Sequence, residues 1–282
     1  MCGCTPLALY RYDATAFSFD AKLSSSVNSI LRNAIDRSDG ARLIVLRMEA
    51  GERRESEPHR HVRGQLGALN AGLMTIDTAA GRWVMPPGRI GWIPPGFLHA
   101  AQLHGTVEGW SAYLAPGDCA ILPAEPCVLA CSALVAPIME RASQWDEGAL
   151  QPPQQRLLEV LLDELAVAVA QPLQLPFPQE RRLVRIARAL ASEPGDKRSL
   201  DEWARWAGLS GRSLSRNFAK ETGMPFVQWR QLARMVQALE QLAGGMPVNQ
   251  VAWSLGYESV STFIAAFKRL FGATPSQFAV RS

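Results

Sequence analysis

"LGYESVSTFIAAFKRLFG", Leu255 to Gly272, decides the reading of the C-terminal part of the chain. It opens on a glycine-containing turn and continues as a helix. Phe263, Phe267, Leu270 and Phe271 are spaced for one buried face. Val260, Ser261, Ile264, Ala265 and Lys268 fall on a second face that is small, mixed and free of acid. Ser259 stands where a helix N-cap is needed.

Upstream, the same grammar recurs in "SLDEWARWAGLSGRSLSRNFAKETGMPFVQW", Ser199 to Trp229. At an offset of 49, Ser210 matches Ser259, Leu214 matches Phe263, Phe218 matches Phe267, Gly223 matches Gly272 and Trp229 matches Phe278. Each segment is a short helix, a turn with glycine (Gly208, Gly256) and a longer helix, the pattern of a helix-turn-helix. Trp203, Ala204, Ala207, Leu209, Leu214 and Phe218 can bury together. Arg212, Ser213, Ser215, Arg216 and Lys220 then face outward. Arg212 and Arg216 are four apart, on one face, and an arginine in the major groove can donate two bonds to guanine. In the second unit Val260, Ile264 and Ala265 suit thymine methyls, whereas Ser261, Thr262, Lys268 and Arg269 suit phosphate. The helix from Phe226 to Ala243 would hold the two units at a fixed separation, which for adjacent turns of one DNA face is about 34 Å.

The charge agrees. From Glu180 onward there are 15 Lys or Arg against 8 Asp or Glu, while the first 179 residues carry 14 against 18. A basic C-terminal part joined to a mildly acidic N-terminal part points to a polyanionic partner for the former. The helices expected there are 179–191, 200–207, 211–221, 225–243, 248–255, 260–271 and 275–279.

The segment from about Glu180 to Phe278 resembles the DNA-binding domain of AraC/XylS-type transcriptional regulators. The most specific portion is "VNQVAWSLGYESVSTFIAAFKRLFGATPSQF", Val248 to Phe278. The resemblance implies two helix-turn-helix units joined by a long helix and bound to adjacent major grooves of double-stranded promoter DNA. It makes Arg212, Ser215 and Arg216 base readers of the first unit and Ser261 and Ala265 their counterparts in the second. The small Ala265 departs from the long polar side chain common at that position.

Residues 41–115 read as short strands broken by Gly and Pro, the composition of a small barrel or sandwich. Pro86–Gly88 and Pro94–Gly96 are expected to be tight turns, and residues 24–38 a short helix or a cover for the barrel. His59 and His61 alternate, so in a strand both point to one side. His99 follows the second turn, and the three could form an N3 metal site. His104 is expected on a loop or exposed.

This half resembles the cupin-like sensory domain of some AraC-type regulators. His59, His61, Gln65 and Gly72 follow one cupin motif, and Gly88, Pro94, Gly96 and His99 the other. Gln65 replaces the usual acid, and Leu103 the usual late Asn. Two roles stand open for the histidines: contact with a small-molecule effector, together with Gln65, Trp83, Trp92 and Phe97, or a divalent metal on His59, His61 and His99.

The domains expected are thus 1–125, a cupin-like regulatory domain; 126–178, a helical dimerisation segment ending in a Pro-rich linker, "QPLQLPFP"; and 179–282, an all-α domain with two helix-turn-helix units. The stripe Leu157, Leu158, Leu161, Leu162 and Leu165 suits either a core or a partner helix. Five cysteines (Cys2, Cys4, Cys119, Cys127, Cys131) in a long chain do not suggest a disulfide scaffold. There is no convincing signal peptide and no run long enough to span a membrane, so a cytoplasmic setting is expected. No Walker loop, dinucleotide-binding glycine pattern or GxSxG occurs, and no catalytic residue is assigned. A sequence-specific regulator that senses a small molecule is the expectation, with a homodimer and RNA polymerase contact (if an activator) as further partners. The alternatives are a metal-dependent cupin enzyme with an accessory nucleic-acid-binding domain, and a DNA-binding protein that senses nothing.

Overall fold

The computed structural model describes residues 33–50, 54–146, 148–171, 173–271 and 273–279. Cys2, Cys4, Gly272 and most of the helix expected over 24–38 lie outside them; residues 33–35 are helical. None of the helices among the described residues is long and apolar enough to cross a membrane.

The N-terminal half is an antiparallel β domain. Its strands are β1 (Leu43–Ala50), β2 (Arg54–Glu55), β3 (Gly64–Thr78), β4 (Gly81–Met85), β5 (Arg89–Ile93), β6 (His99–Leu114), β7 (Cys127–Ala130), β8 (Ala170–Gln171) and β9 (Gln174–Pro176). The path runs β1-β6-β3-β5-β7-β8; β2 adds to β6, and β4 lies between β3 and β9. Both Pro-Pro-Gly stretches are turns, as the sequence predicts.

Side chains alternate between the two faces of this sheet. Leu66, Ala68, Trp92, Ala112 and Leu114 pack on helices α1 (Val135–Ala142) and α2 (Pro152–Ala166). The other face gathers Leu69, Met74, Ile76, Trp83, Met85 and Ile93, with Phe97 and Leu103 against them. Leu158, Leu161, Leu162 and Leu165 are buried in the first of these cores. Four of the five leucines of the stripe thus serve the core, and Leu157 is half-buried against it. His104 also differs from expectation: it is a buried strand residue, 3.0 Å through Nε2 from the Thr75 hydroxyl.

The Pro-rich stretch is not a loose joint. β8 pairs with β7, and β9 pairs with β4 in the register Gly81↔Pro176, Arg82↔Leu175, Trp83↔Gln174. Pro176 sits at the strand end, where a missing N–H costs little.

The C-terminal half is helical: α3 (Arg181–Ser192), α4 (Leu200–Trp206), α5 (Gly211–Thr222), α6 (Phe226–Ala243), α7 (Val248–Ser254), α8 (Val260–Phe271) and α9 (Pro275–Ala279). These match the expected helices to within two residues at each end, because caps and turn glycines are local signals. The central helix α6 lies at the heart of a core that includes Leu183, Trp203, Leu214, Phe218, Trp229, Leu239, Phe263, Phe267 and Phe278.

That core continues into the β domain. Leu73, Val84 and Leu175 belong to it. Trp229 Nε1 donates to the Pro176 carbonyl at 2.6 Å. Arg82 holds Asp77 through two bonds of 2.7 and 2.9 Å and reaches Glu240 of α6 at 3.2 Å. At Gly105, with φ of +73°, the β6 backbone comes so close to α6 that an added Cβ would lie 2.3 Å from the Ala243 carbonyl oxygen.

Candidate functional sites: a DNA-reading face and a histidine cluster

The two helix pairs α4–α5 and α7–α8 are closed by equivalent bonds. Leu209 N donates to Ala204 O at 2.8 Å, and Tyr257 N to Ala252 O at 3.0 Å. Gly208 and Gly256 take the left-handed conformation, at φ of +69° and +76°, which the bend demands. The turn is one residue longer in the second pair: Ala204 and Ala252 are 48 apart, but Ser210 and Ser259 are 49 apart. Both serines cap their helices, Ser210 toward Ser213 N and Ser259 toward Thr262 N, each at 3.2 Å.

On α5 the side chains of Arg212, Ser215, Arg216 and Lys220 are exposed. None of these cations has an ion-pair partner among the described residues. Ser213 is half-buried, its hydroxyl taken up by Ser210 at 2.9 Å. On α8, Ser261, Thr262, Ala265 and Lys268 are exposed. Val260 and Ile264 are half-buried against the helical core, whereas Ala265 is exposed. Leu270, expected inside, is 37% exposed. The helix rotates to put Phe263, Ala266 and Phe267 inward.

In the β domain the structure brings His59, His61 and His99 together, with one ligand atom of each within 4.8 Å of the others. His59 and His99 face each other across a backbone bridge, N to O at 2.9 Å in both directions. Every ring rests its Nδ1 on a backbone carbonyl: His59 on Glu57 at 2.9 Å, His61 on Arg63 at 2.5 Å, His99 on Phe97 at 3.0 Å. Such bonds fix the proton on Nδ1 and leave Nε2 with a lone pair. The Nε2 atoms of His61 and His99 lie 3.0 and 3.1 Å from the Gln65 carbonyl oxygen. Gln65 in turn donates through Nε2 to Ser111 Oγ at 2.9 Å and Tyr113 OH at 3.3 Å. Burial keeps both inner rings neutral: it pushes His61 down, and His99 down to about 4.

A neutral ring has one proton, yet each inner ring meets an oxygen at both nitrogens. With Nδ1 protonated and the Gln65 oxygen toward the rings, the Nε2 atoms and that oxygen face one another as acceptors. Donor separations of about 3.0 Å are the cis edge of an octahedral ion at bonds of about 2.1 Å, shorter than the edge of about 3.4 Å around a tetrahedral one. The donor set fits a divalent cation. Turning the carboxamide over would instead offer its NH2 to both rings and its oxygen to the Ser111 and Tyr113 hydroxyls, which satisfies the cluster without a cation.

The expected aromatic lining divides. Trp83 and Phe97 share the face of Ile93, the register partner of Gln65. Trp92, one position on, pairs with Leu66, lies on the opposite face and donates to Pro123 O at 2.8 Å. It is a core residue and not part of the site. Tyr113, 5.3 Å from the His61 ring, belongs to the cluster and was not apparent in the sequence. Trp83 Nε1 is buried with no acceptor among the described residues.

A helix-turn-helix domain model matches residues 203–281. The transcriptional regulator NimR of Escherichia coli K12 is 33% identical over 227 residues, covering 80% of this chain and 83% of its own. The regulator RipA of Corynebacterium glutamicum is 40% identical over 103 residues, 36% of this chain and 31% of its own. A solved DNA-binding transcriptional dual regulator from Escherichia coli K-12 is 28% identical, covering 37% of this chain and all of its own, with a TM-score of 0.34. The relatives are regulators of transcription and not enzymes. With a helix-turn-helix region behind an antiparallel β domain, and a relative that shares four-fifths of its length, the chain belongs to the AraC-type family of DNA-binding transcriptional regulators.

Proposed function

We propose that both helix pairs read double-stranded promoter DNA, and that the β domain, cupin-like in its motifs, binds a small molecule that alters this reading. The observation that carries the first part is the exposed, unpaired Arg212 and Arg216 on the capped helix α5. In this reading α5 supplies polar recognition. α8 contributes Ala265 toward bases, with Ser261, Thr262 and Lys268 toward phosphate. Competitive gel shifts with genomic fragments test it: a preferred site is expected, and equal binding to all fragments at physiological salt defeats it. Arg216→Ala is expected to cost about 1–3 kcal/mol and to relax preference at one guanine position. Lys268→Ala is expected to weaken every sequence alike.

For the β domain, His59, His61 and His99 with Gln65 would hold a divalent metal ion, and Trp83 and Phe97 would line the effector. The buried Trp83 N–H without an acceptor supports a ligand that carries one. Metal would supply a localised positive charge to a site made only of neutral donors. Protein purified without chelator is expected to hold about one equivalent of divalent metal per chain, and His61→Ala to lose it. Elemental analysis showing metal-free protein that also takes up none of zinc, iron or nickel removes the metal. An effector must bind the two DNA-binding states unequally, since equal affinity shifts nothing. A homodimer fits this reading, with its contact elsewhere than the inward-turned leucines of α2, and a monomer mass in light scattering at all working concentrations would remove it. If the protein activates, RNA polymerase is the further partner.

A further inference from the structure

Helix α3 carries four arginines in its first eight residues, Arg181, Arg182, Arg185 and Arg188. Leu183, Ile186, Ala187 and Leu190 take its inner face. Arg181, Arg185 and Arg188, at positions i, i+4 and i+7, form one exposed stripe. The two acids at the N-terminal end of this helix are already engaged. Glu180 takes Arg182 Nε at 2.8 Å and caps Leu183 N, and Glu221 accepts from the backbone N–H groups of Gln179 and Glu180. Arg181 and Arg188 have no ion-pair partner among the described residues.

The stripe is held against the turn that delivers α5. The Arg185 guanidinium lies 4.4 Å from the centre of the Trp206 ring, and its Nη2 donates to the Trp206 carbonyl at 2.8 Å. Arg182 Nη1 reaches the carbonyl of Gly208, inside the turn, at 3.5 Å. Arg198 approaches the same Trp206 ring at 5.5 Å. A reading helix enters the major groove by its N-terminal residues. The turn before it therefore lies at the groove wall, where the sugar–phosphate backbone runs. Guanidinium forks match phosphate oxygens, and a stacked guanidinium loses less freedom on binding.

We infer that Arg181, Arg185 and Arg188 of α3 hold the DNA phosphodiester backbone that flanks the groove read by α5. This extends the footprint beyond the two helix pairs and rests on the DNA-reading assignment above. The contact carries no sequence information: it sets affinity and orientation, while Arg212 and Arg216 set preference.

The test is the salt dependence of binding to the preferred fragment, from 50 to 200 mM salt, in the full chain. Each phosphate contact contributes roughly −0.9 to the slope of log affinity against log salt. Arg181→Gln with Arg188→Gln removes two side chains that bond nothing else in the described fold. The slope is expected to shrink by about 2, with the ratio of preferred to competitor affinity unchanged. Arg181→Lys with Arg188→Lys is expected to restore the slope, which a purely structural role would not explain. An unchanged slope in the glutamine variant overturns the inference and leaves the DNA-reading assignment standing. A parent protein that prefers no fragment overturns both.

Discussion

Phe267→Ala lowers the stability of the chain by about 3–5 kcal/mol. Phe267 is fully buried on α8, with the rings of Phe263, Phe271 and Phe278 at 5.8, 4.6 and 6.1 Å. Removing the ring leaves a cavity between helices α8 and α9 that neighbours held by their own rotamers cannot fill. Phe218, its counterpart on α5, is expected to behave alike, since it is equally buried, 5.2 Å from Phe226 and 5.3 Å from Trp229. Leu270→Ala is the control: at 37% exposure it should cost well under half as much. Chemical denaturation of the three variants measures this. A Phe267→Ala chain with the midpoint of the parent contradicts the packing described here. Loss of DNA binding in Phe267→Ala would then be a folding effect, which separates it from Arg216→Ala.

The second large effect is expected at the junction of the two halves. Gly105→Ala places a methyl 2.3 Å from the Ala243 carbonyl oxygen, and that atom is backbone, which cannot swing aside. The left-handed conformation costs about 1–2 kcal/mol for any residue with a Cβ. Overpacking adds about 1–3 kcal/mol. Gly88→Ala separates the two contributions: Gly88 has φ of +75° but nothing within 4 Å of its added Cβ. Gly105→Ala is therefore expected to lose more stability than Gly88→Ala, and to speed hydrogen exchange at Leu242 and Ala243. Equal losses, with exchange unchanged, would show that the contact between β6 and α6 does not hold the halves together.

The helical half was legible because its signals are local. Ser210, Ser259, Gly208 and Gly256 each act within four residues of where they stand, and the repeat exposed them twice. The periodicity of α2 marked an apolar face but not its partner. Whether Leu158 and Leu161 meet a β sheet or another chain is decided by residues such as Leu66 and Trp92, far away in sequence. Val260 and Ile264, expected to face outward, are half-buried for a related reason. A helix face has edges, and residues there turn in or out with a rotation that only packing fixes.

In the β half, alternation brought His59 and His61 to one side, and the register of β3 with β5 set Trp92 apart from Gln65 by a single position. A shift of that size inverts every side chain. His104 escaped because β6 kinks at Gly105 and its register with β3 slips between Leu69 and Leu73, which breaks the two-residue rhythm. The carboxamide orientation at Gln65 depends on Ser111 and Tyr113, brought beside it by strand pairing and silent in the sequence.

The pairing of β9 with β4 bears on how this protein can be cut. β9 lies at the outer flank of β4, the last strand on that side of the sheet. Severing the chain after Gln171 and parting the two halves strips this cover and bares a row of unpaired backbone groups along Gly81, Arg82 and Trp83. A bared sheet margin is a template for a strand from another molecule, and such fragments stick to one another. A cut after Pro176 instead leaves the border strand in place but deprives the helical fragment's Trp229 of its carbonyl partner. Neither half owns residues 174–176 alone: the sheet needs their backbone as a border, and the helices need their last carbonyl as a lid over a buried indole.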